Sequence, residues 1–533
     1  MSTADFHIRV RENQSRLQRE LRAEYDYIVC GSGSSGSVVT RRLAENPDLS
    51  VLLLEAGGSD DAASVTNPGI WFTNIGTERD WGFLAEPNPH LNGRAMPLPM
   101  GKVLGGGSSI NGLIWARGHR NDWDYFAAES GDEAWNYPSV LKTYRRIEDW
   151  QGESDPIRRG SGGLLSVQPA PDPHPLAAAA LTAAAHVGIP TFNDQNGVLM
   201  ESDAGAAITN LTVRDGRRQS VFRSYVHPLM AGKNLTVLSH ASVTRVLFDG
   251  LQATGVELEY DGKRIQVRAR RETVLSLGAV HTPKVLMQSG VGDAEHLEQH
   301  GIAVVRHLPG VGQNFQDHVM VAGAIWEYEE PHEAPRNNVG EATFFWKTRA
   351  DLPTPDIQTI VAEIPITTQE TRARFNVPAA AFSLLPALVR PRSRGRIKLS
   401  GREASDPVRI EANTLAEPDD LSALMRGLEI AREIGNGAAL RGLIKREVMP
   451  GNLDRKGLEN FIRDSLSTVW HLSGTAKMGR DPMSVVDAEL RVYGIKGLRI
   501  ADSSIMPRVT TGNTMAPCVV IGERLAELLT DGT

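Results

Sequence analysis

Cysteine is close to absent, with 2 among 533 residues. That excludes a disulfide scaffold and fits a reducing compartment, so the expected location is cytoplasmic. Cys30 ends an apolar run and Cys518 adjoins Val519-Val520-Ile521, contexts that make both packing residues rather than reactive thiols. No run of about 18 uninterrupted apolar residues occurs, which leaves no candidate membrane span. Long basic runs are also missing and the net charge is −7, so nothing points to nucleic-acid binding. Residues 1–24 lack the apolar core of a secretory leader, and Asp5, Glu12, Glu20 and Glu24 interrupt their arginines. They read as a solvated amphipathic helix. What remains is ordinary for a soluble globular protein: 41% hydrophobic and 23% charged, in a chain long enough to require at least two lobes.

The stretch from Glu24 to Gly58 organises the rest. Tyr27-Ile28-Val29-Cys30 reads as a buried strand, followed by Gly31, Gly33 and Gly36 at the spacing G-x-G-x-x-G. Ser37 to Glu45 then reads as a helix, and Ser50 to Leu54 as a second apolar strand ending in Glu55. The first glycine permits a tight turn, the second a close approach of backbone to a pyrophosphate, the third close helix–strand packing. The helix N-terminus offers free N–H groups to phosphate, and Glu55 is placed to accept hydrogen bonds from an adenosine ribose. Strand, turn, helix, strand and acid in this order indicate an NAD or FAD site, and an unphosphorylated ribose.

Beyond Gly58 the periodicity breaks. Residues 59–100 hold Trp71, Trp81 and several prolines, an irregular excursion that covers a ligand or contacts a second subunit of a homodimer. Gly105-Gly106-Gly107 with flanking serines suits backbone lying flat against a planar or phosphate-bearing ligand. Residues 123–150 read as helical, 151–175 as loop, and Leu176 to Val187 as a buried helix whose His186 is a core or capping residue. Short strands are expected at 235–238, 243–248, 255–260, 264–268 and 274–279, with a helix from Lys284 to Ser289 after Pro283. His296 and His300 are four apart on a helix, but without HExxH or a third ligand they read as a solvated face, and no metal is expected. Residues 320–455 alternate like antiparallel strands with one wet face.

Assembled, these motifs resemble the glucose–methanol–choline (GMC) oxidoreductase family. The resemblance rests on residues 26–58, on GKVLGGGSSINGLIWARGHRNDWD from Gly101, on GAVHTPKVLMQSGVG from Gly278, and on Trp470-His471-Leu472-Ser473-Gly474-Thr475, Ala501-Asp502-Ser503-Ser504 and Asn513. It implies a small-molecule alcohol as substrate and FAD as cofactor. The fold implied is α/β (α+β overall): a Rossmann-like FAD-binding domain and a second substrate lobe built on an antiparallel sheet flanked by helices. The expected division is 1–24 as an N-terminal extension, 25–150 with 205–319 and 456–533 as the FAD-binding domain, and 151–204 with 320–455 as the substrate lobe. The implied cofactor contacts are Gly31, Gly33, Gly36, Glu55 and Ala56; Gly101, Leu104, Gly106, Gly107, Ser108, Asn111 and Gly112; Val243 and Ala279; and Asp502, Asn513 and Thr514. Some relatives tether the flavin through a histidine at the position of Ile110, so here the FAD is expected to be non-covalent.

Alcohol oxidation removes a hydroxyl proton and an α-hydride, so a general base must reach the hydroxyl. The resemblance assigns that role to His471. It assigns Asn513 to hold the substrate oxygen, since an amide cannot take the proton. Trp470 is expected as an aromatic substrate wall, with His318 and Met320 also near the substrate. Choline-oxidising relatives carry a glutamate where this chain has Met320, so a neutral, primary, aryl or furanic alcohol is expected. Electrons would pass to O2, or alternatively to a quinone-type acceptor, and a lyase on the same scaffold is the remaining alternative.

Overall fold

The computed structural model describes residues 3–330, 335 and 337–530. Two sheets carry the architecture. In the first, seven-stranded sheet, Leu235–Leu238, Val51–Leu54, Glu24–Cys30 and Lys263–Leu275 lie parallel side by side, with Leu498–Ile500 also pairing in parallel on the last. Gln252–Tyr260 and Ala241–Asp249 extend it as antiparallel strands. Ile28, Val29, Val51, Leu52 and Leu53 have no solvent exposure, as strands covered on both faces require. The helices Ser34–Ala44 and Met515–Thr530 pack together on this sheet, close enough that a Cβ on Gly522 would lie 2.7 Å from the Ser35 carbonyl oxygen.

The second sheet is eight-stranded and antiparallel. Its order is Ile444–Met449, Ala324–Tyr328, Ala381–Leu388, Ile357–Ala362, Ala342–Trp346 and Gly205–Ile208, with Val319–Val321 bridging Ala381–Leu388 to Leu466–Thr468. The helices Pro175–His186 and Pro418–Gly435 cover one face. The mixed α/β class with an antiparallel second lobe is therefore as expected. Gly205–Ile208 and Leu466–Thr468, expected with the cofactor half, hydrogen-bond into the second sheet instead.

Several local expectations are corrected. The N-terminal helix Thr3–Arg19 is docked, not solvated: Gln14 donates to the Met230 and Leu235 carbonyls and accepts from Val237 N–H, covering the edge of the first sheet. Residues 151–175 contain the strand Leu165–Pro169, which pairs with Glu148–Trp150 and Asn210–Leu211. The expected strands at 264–268 and 274–279 are one strand, Lys263–Leu275, whose first half pairs antiparallel and whose second half pairs parallel. Nothing between them breaks it. The helix after it runs Gly278–Gln288, with Pro283 inside. Proline removes the N–H that would meet the Ala279 carbonyl, and Thr475 Oγ1 donates to that oxygen at 2.6 Å in its place. His186 lies exposed in the last turn of its helix rather than in the core.

Candidate active site

A cavity of about 530 Å³ runs between the two sheets, within the usual span of ligand sites. Its first end is the glycine-rich turn. Gly31, at φ +97°, passes so close to the Lys263–Leu275 strand that a Cβ there would lie 2.2 Å from the Ser276 oxygen. Gly36 performs the packing role expected of the third glycine, with a Cβ position 1.9 Å from the Gly31 oxygen, and does not reach the cavity wall. Gly33 does: a Cβ added there meets nothing within 4 Å. No side chain caps the helix that begins at Ser34, so its first N–H groups are left for a ligand. Glu55 is buried on the wall, its carboxylate ordered by Ser32 N–H, Ser32 Oγ and Gly57 N–H, and burial raises its pKa.

The second glycine loop abuts the first. A Cβ on Gly106 would lie 2.9 Å from Gly33 Cα, whereas Gly107 opens into free space on the wall. Ala56, Gly101, Ser108, Asn111, Gly112, Val243, Ala279, Asp502 and Thr514 also line the cavity, as expected. Leu104 does not; it is a core residue behind the loop. Asp502 is buried and accepts from Gly278 N–H, Thr282 Oγ1 and Ser504 N–H, which locks the start of the helix Gly278–Gln288. Uncapped helix donors, glycines with no Cβ clash and a buried acid near the turn form a cradle that fits a dinucleotide such as FAD.

The other end is built by the second sheet. Val319–Val321 and Leu466–Thr468 pair with Val319 opposite Thr468, and Val469 N–H donates to the His318 carbonyl. This ladder brings two histidines together: His318 Nδ1 and His471 Nδ1 are 2.8 Å apart. Asn513 Nδ2 lies 3.3 Å from His471 Nε2, while Gln358 Nε2 donates to the Asn513 oxygen at 3.4 Å. With the amide donating, His471 Nε2 is the unprotonated nitrogen and Nδ1–H donates to His318. Burial lowers the His471 pKa to about 3 and that of His318 well below the ordinary value, so both rings are neutral at pH 7. Asp317 supports them from beneath, accepting from His471 N–H at 2.9 Å and Thr468 Oγ1 at 2.5 Å.

His471, Asn513, Trp470 and Met320 all line the cavity; His318 does not. The expectation that His318 touches substrate is corrected: it stands behind His471, one ring away from the open space. Trp470 is held at φ +64° with its N–H on Thr468 Oγ1, and packs edge-on to Trp71 at 5.8 Å. Around the base the wall is the apolar cluster of Met320, Ile360, Ala362, Leu385 and Val469. The irregular excursion closes the roof with Trp71, Ile75, Trp81 and Phe83, which fulfils its expected covering role. Trp71 Nε1 donates to the Asn338 carbonyl and Asn338 Nδ2 to that of Gly112, tying roof to floor. Ile360 and Leu385 are not legible as site residues in the sequence, because continuous apolar strands give no sign of which face meets a cavity. His296 Nε2 accepts from Leu399 N–H, which gives that ring a structural use.

A dinucleotide cradle facing a neutral imidazole across an apolar chamber defines an FAD-dependent oxidoreductase acting on CH–OH donors. The chain belongs to the GMC oxidoreductase family: the family model described as GMC oxidoreductase matches residues 25–320 in its N-terminal part and 391–522 in its C-terminal part. A GMC-type oxidoreductase of Mycobacterium tuberculosis is 38% identical over 532 residues, covering 95% of this chain and 99% of the relative. The oxygen-dependent choline dehydrogenase of Paraburkholderia xenovorans is 36% identical, covering 95% and 94%. Among solved structures, pyridoxine 4-oxidase from Mesorbium loti superposes with a TM-score of 0.91 at 31% identity, covering 96% of this chain and 99% of that one. The cofactor of the family is FAD. No helix among the described residues is long and apolar enough to cross a membrane.

Proposed function

We propose that the chain oxidises a neutral, largely apolar primary alcohol, aryl or furanic in class, to its aldehyde, with O2 reduced to H2O2. The observation that carries this reading is the position of His471 Nε2, an unprotonated base on the wall of a chamber lined by Met320, Ile360, Leu385 and Val469. The carboxylates on the wall, Glu55, Glu259 and Asp502, come from the first sheet and its loops, away from this apolar cluster. A quaternary ammonium substrate would find no counter-charge among those apolar residues.

His471 Nε2 takes the hydroxyl proton, and the His318 acceptor on Nδ1 stabilises the imidazolium that forms. Asn513 orients the hydroxyl oxygen but cannot accept its proton. Trp470 and Trp71 exclude water from the carbinol carbon. Bound FAD supplies the acceptor for the hydride that leaves that carbon. Gly33, the helix N-terminus at Ser34, Glu55, Gly107 and Asn111 would hold it, without a covalent tether since Ile110 has no nucleophile. O2 as acceptor is supported by two of the relatives, one named an oxidase and the other oxygen-dependent. The test is a panel of benzyl, furfuryl, pyridoxine and choline alcohols assayed for H2O2 and, separately, for dye reduction. Turnover of choline but not of the aryl alcohols would sink the substrate reading, and dye reduction without H2O2 the acceptor reading.

A further inference from the structure

Arg218 is 4% exposed and lies directly behind the loop that carries Asn111. Its guanidinium donates to the Val65 carbonyl from Nε at 2.7 Å, to the Ser108 carbonyl and Asn111 Oδ1 from one terminal nitrogen at 3.1 and 2.6 Å, and to the Asn111 carbonyl from the other at 2.6 Å. Every one of these partners is neutral. Other deeply buried arginines are treated differently: Arg117 and Arg159 share Glu148, Arg159 also holds Asp194, and Arg390 pairs with Asp122. For Arg218 the described residues include no carboxylate in ion-pair contact. A buried cation without a counter-charge is costly, and burial alone pulls its pKa down. Such a charge persists where something outside the protein's own side chains uses it.

Ser108 and Asn111 are on the cavity wall, and Arg218 sits one residue layer behind them. Four donated hydrogen bonds fix the peptide at 108–111 and leave Asn111 Nδ2 on the Met515 sulfur at 3.1 Å. We propose that Arg218 is a positioning residue that also acts electrostatically, clamping Asn111 against the cavity and holding one unneutralised positive charge behind the flavin ring, which favours the reduced, negatively charged cofactor. This rests on the reading that Asn111 and Gly112 face the ring of bound FAD. Charge placed near the ring nitrogens is a principal means by which a protein sets flavin potential, and low-dielectric surroundings strengthen its reach.

The test uses the purified holoenzyme. Arg218→Met and Arg218→Gln remove the charge; Arg218→Lys keeps it. With FAD bound, both neutral variants should show a midpoint potential lower by at least about 30 mV, the two-electron equivalent of a tenfold change. Their affinity for sulfite, which adds to flavin N5 and leaves the ring anionic, should weaken at least about tenfold. The lysine variant should stay near wild type in both. Unchanged potential and sulfite affinity in the FAD-loaded neutral variants would overturn the proposal. If neither folds, sulfite titration of the wild type decides: adduct formation at low millimolar sulfite supports it, and none at about 100 mM overturns it. The seat itself is tested apart, by Asn111→Ser: an unchanged flavin spectrum and FAD dissociation constant would remove the ring from Asn111 while leaving the potential data standing.

Discussion

The rings of His318 and His471 stand at 89° with their Nδ1 atoms 2.8 Å apart and their centroids 4.9 Å apart. One nitrogen in that contact must donate and the other accept. Asn513 at His471 Nε2 decides which, because its amide donates there. His318, as the acceptor, therefore supports the tautomer that leaves His471 Nε2 free to take a proton.

Replacing the base should be the most damaging change. His471→Ala should lower the rate of alcohol-dependent flavin reduction by about 10²–10⁴-fold. His318→Ala should cost less, roughly 10–100-fold, the range for a partner that orients a working histidine. Its signature is a fall in kcat with KM nearly unchanged, since His318 does not line the cavity. Stopped-flow bleaching of the flavin under anaerobic conditions measures both. Equal losses in the two variants would mean that the His318 contact is part of the base itself.

Asp317 supplies a pH dependence. Burial pushes its pKa up to about 7, against the hydrogen bonds from Thr468 and His471 that favour the ionised form. Below about pH 7 it is neutral; above, a carboxylate sits beneath His471 and favours the imidazolium formed on proton abstraction. His471, with its pKa lowered to about 3, stays neutral across that window. The rate of flavin reduction should thus rise with pH through an apparent pKa near 7 and level off above it. Asp317→Asn should flatten the profile at the low-pH value. A mutant profile that still rises in the same window would assign the titration elsewhere.

The site is legible where chemistry demands particular residue types at fixed spacing. Gly31, Gly33 and Glu55 announce themselves because only glycine tolerates the turn and only an acid serves a ribose. His471 stands out among fourteen histidines through the block around it. Asp317, Arg218 and Asn338 give no such signal, because each acts across more than a hundred residues of chain and by hydrogen bonds no local pattern records. His318 misleads for the same reason: its position beside Met320 in sequence says nothing about how the strand start is turned, which puts Met320 into the cavity and His318 behind it.

Met320 offers a specificity test. It is 3% exposed on the cavity wall among apolar neighbours, at the position where choline-oxidising relatives carry glutamate. Met320→Glu should lower the KM for choline at least about tenfold and raise that for benzyl alcohol, with Met320→Gln changing neither for choline. A buried unpaired carboxylate should also reduce stability by roughly 1–3 kcal/mol, visible as a lower Tm that choline partly restores. If choline binding is no better in the glutamate variant, the substrate's charged end does not approach this wall.

Two glycines two residues apart should fail in opposite ways. Gly31 has φ +97°, and a Cβ there would stand 2.2 Å from the Ser276 oxygen, so Gly31→Ala must part the strand Glu24–Cys30 from its neighbour at the centre of the first sheet. Little folded protein is expected. Gly33 has φ −61°, which alanine adopts without strain, and its Cβ would meet no protein atom within 4 Å. Gly33→Ala should fold with an apoprotein Tm close to that of the wild-type apoprotein. The new methyl projects into the space between the uncapped helix N-terminus and the second glycine loop, where the pyrophosphate is expected. FAD should bind at least about tenfold more weakly, a loss of about 1.4 kcal/mol, and dissociate on gel filtration. Fluorescence titration of the apoprotein with FAD measures this, and wild-type affinity in Gly33→Ala would place the pyrophosphate somewhere other than this turn.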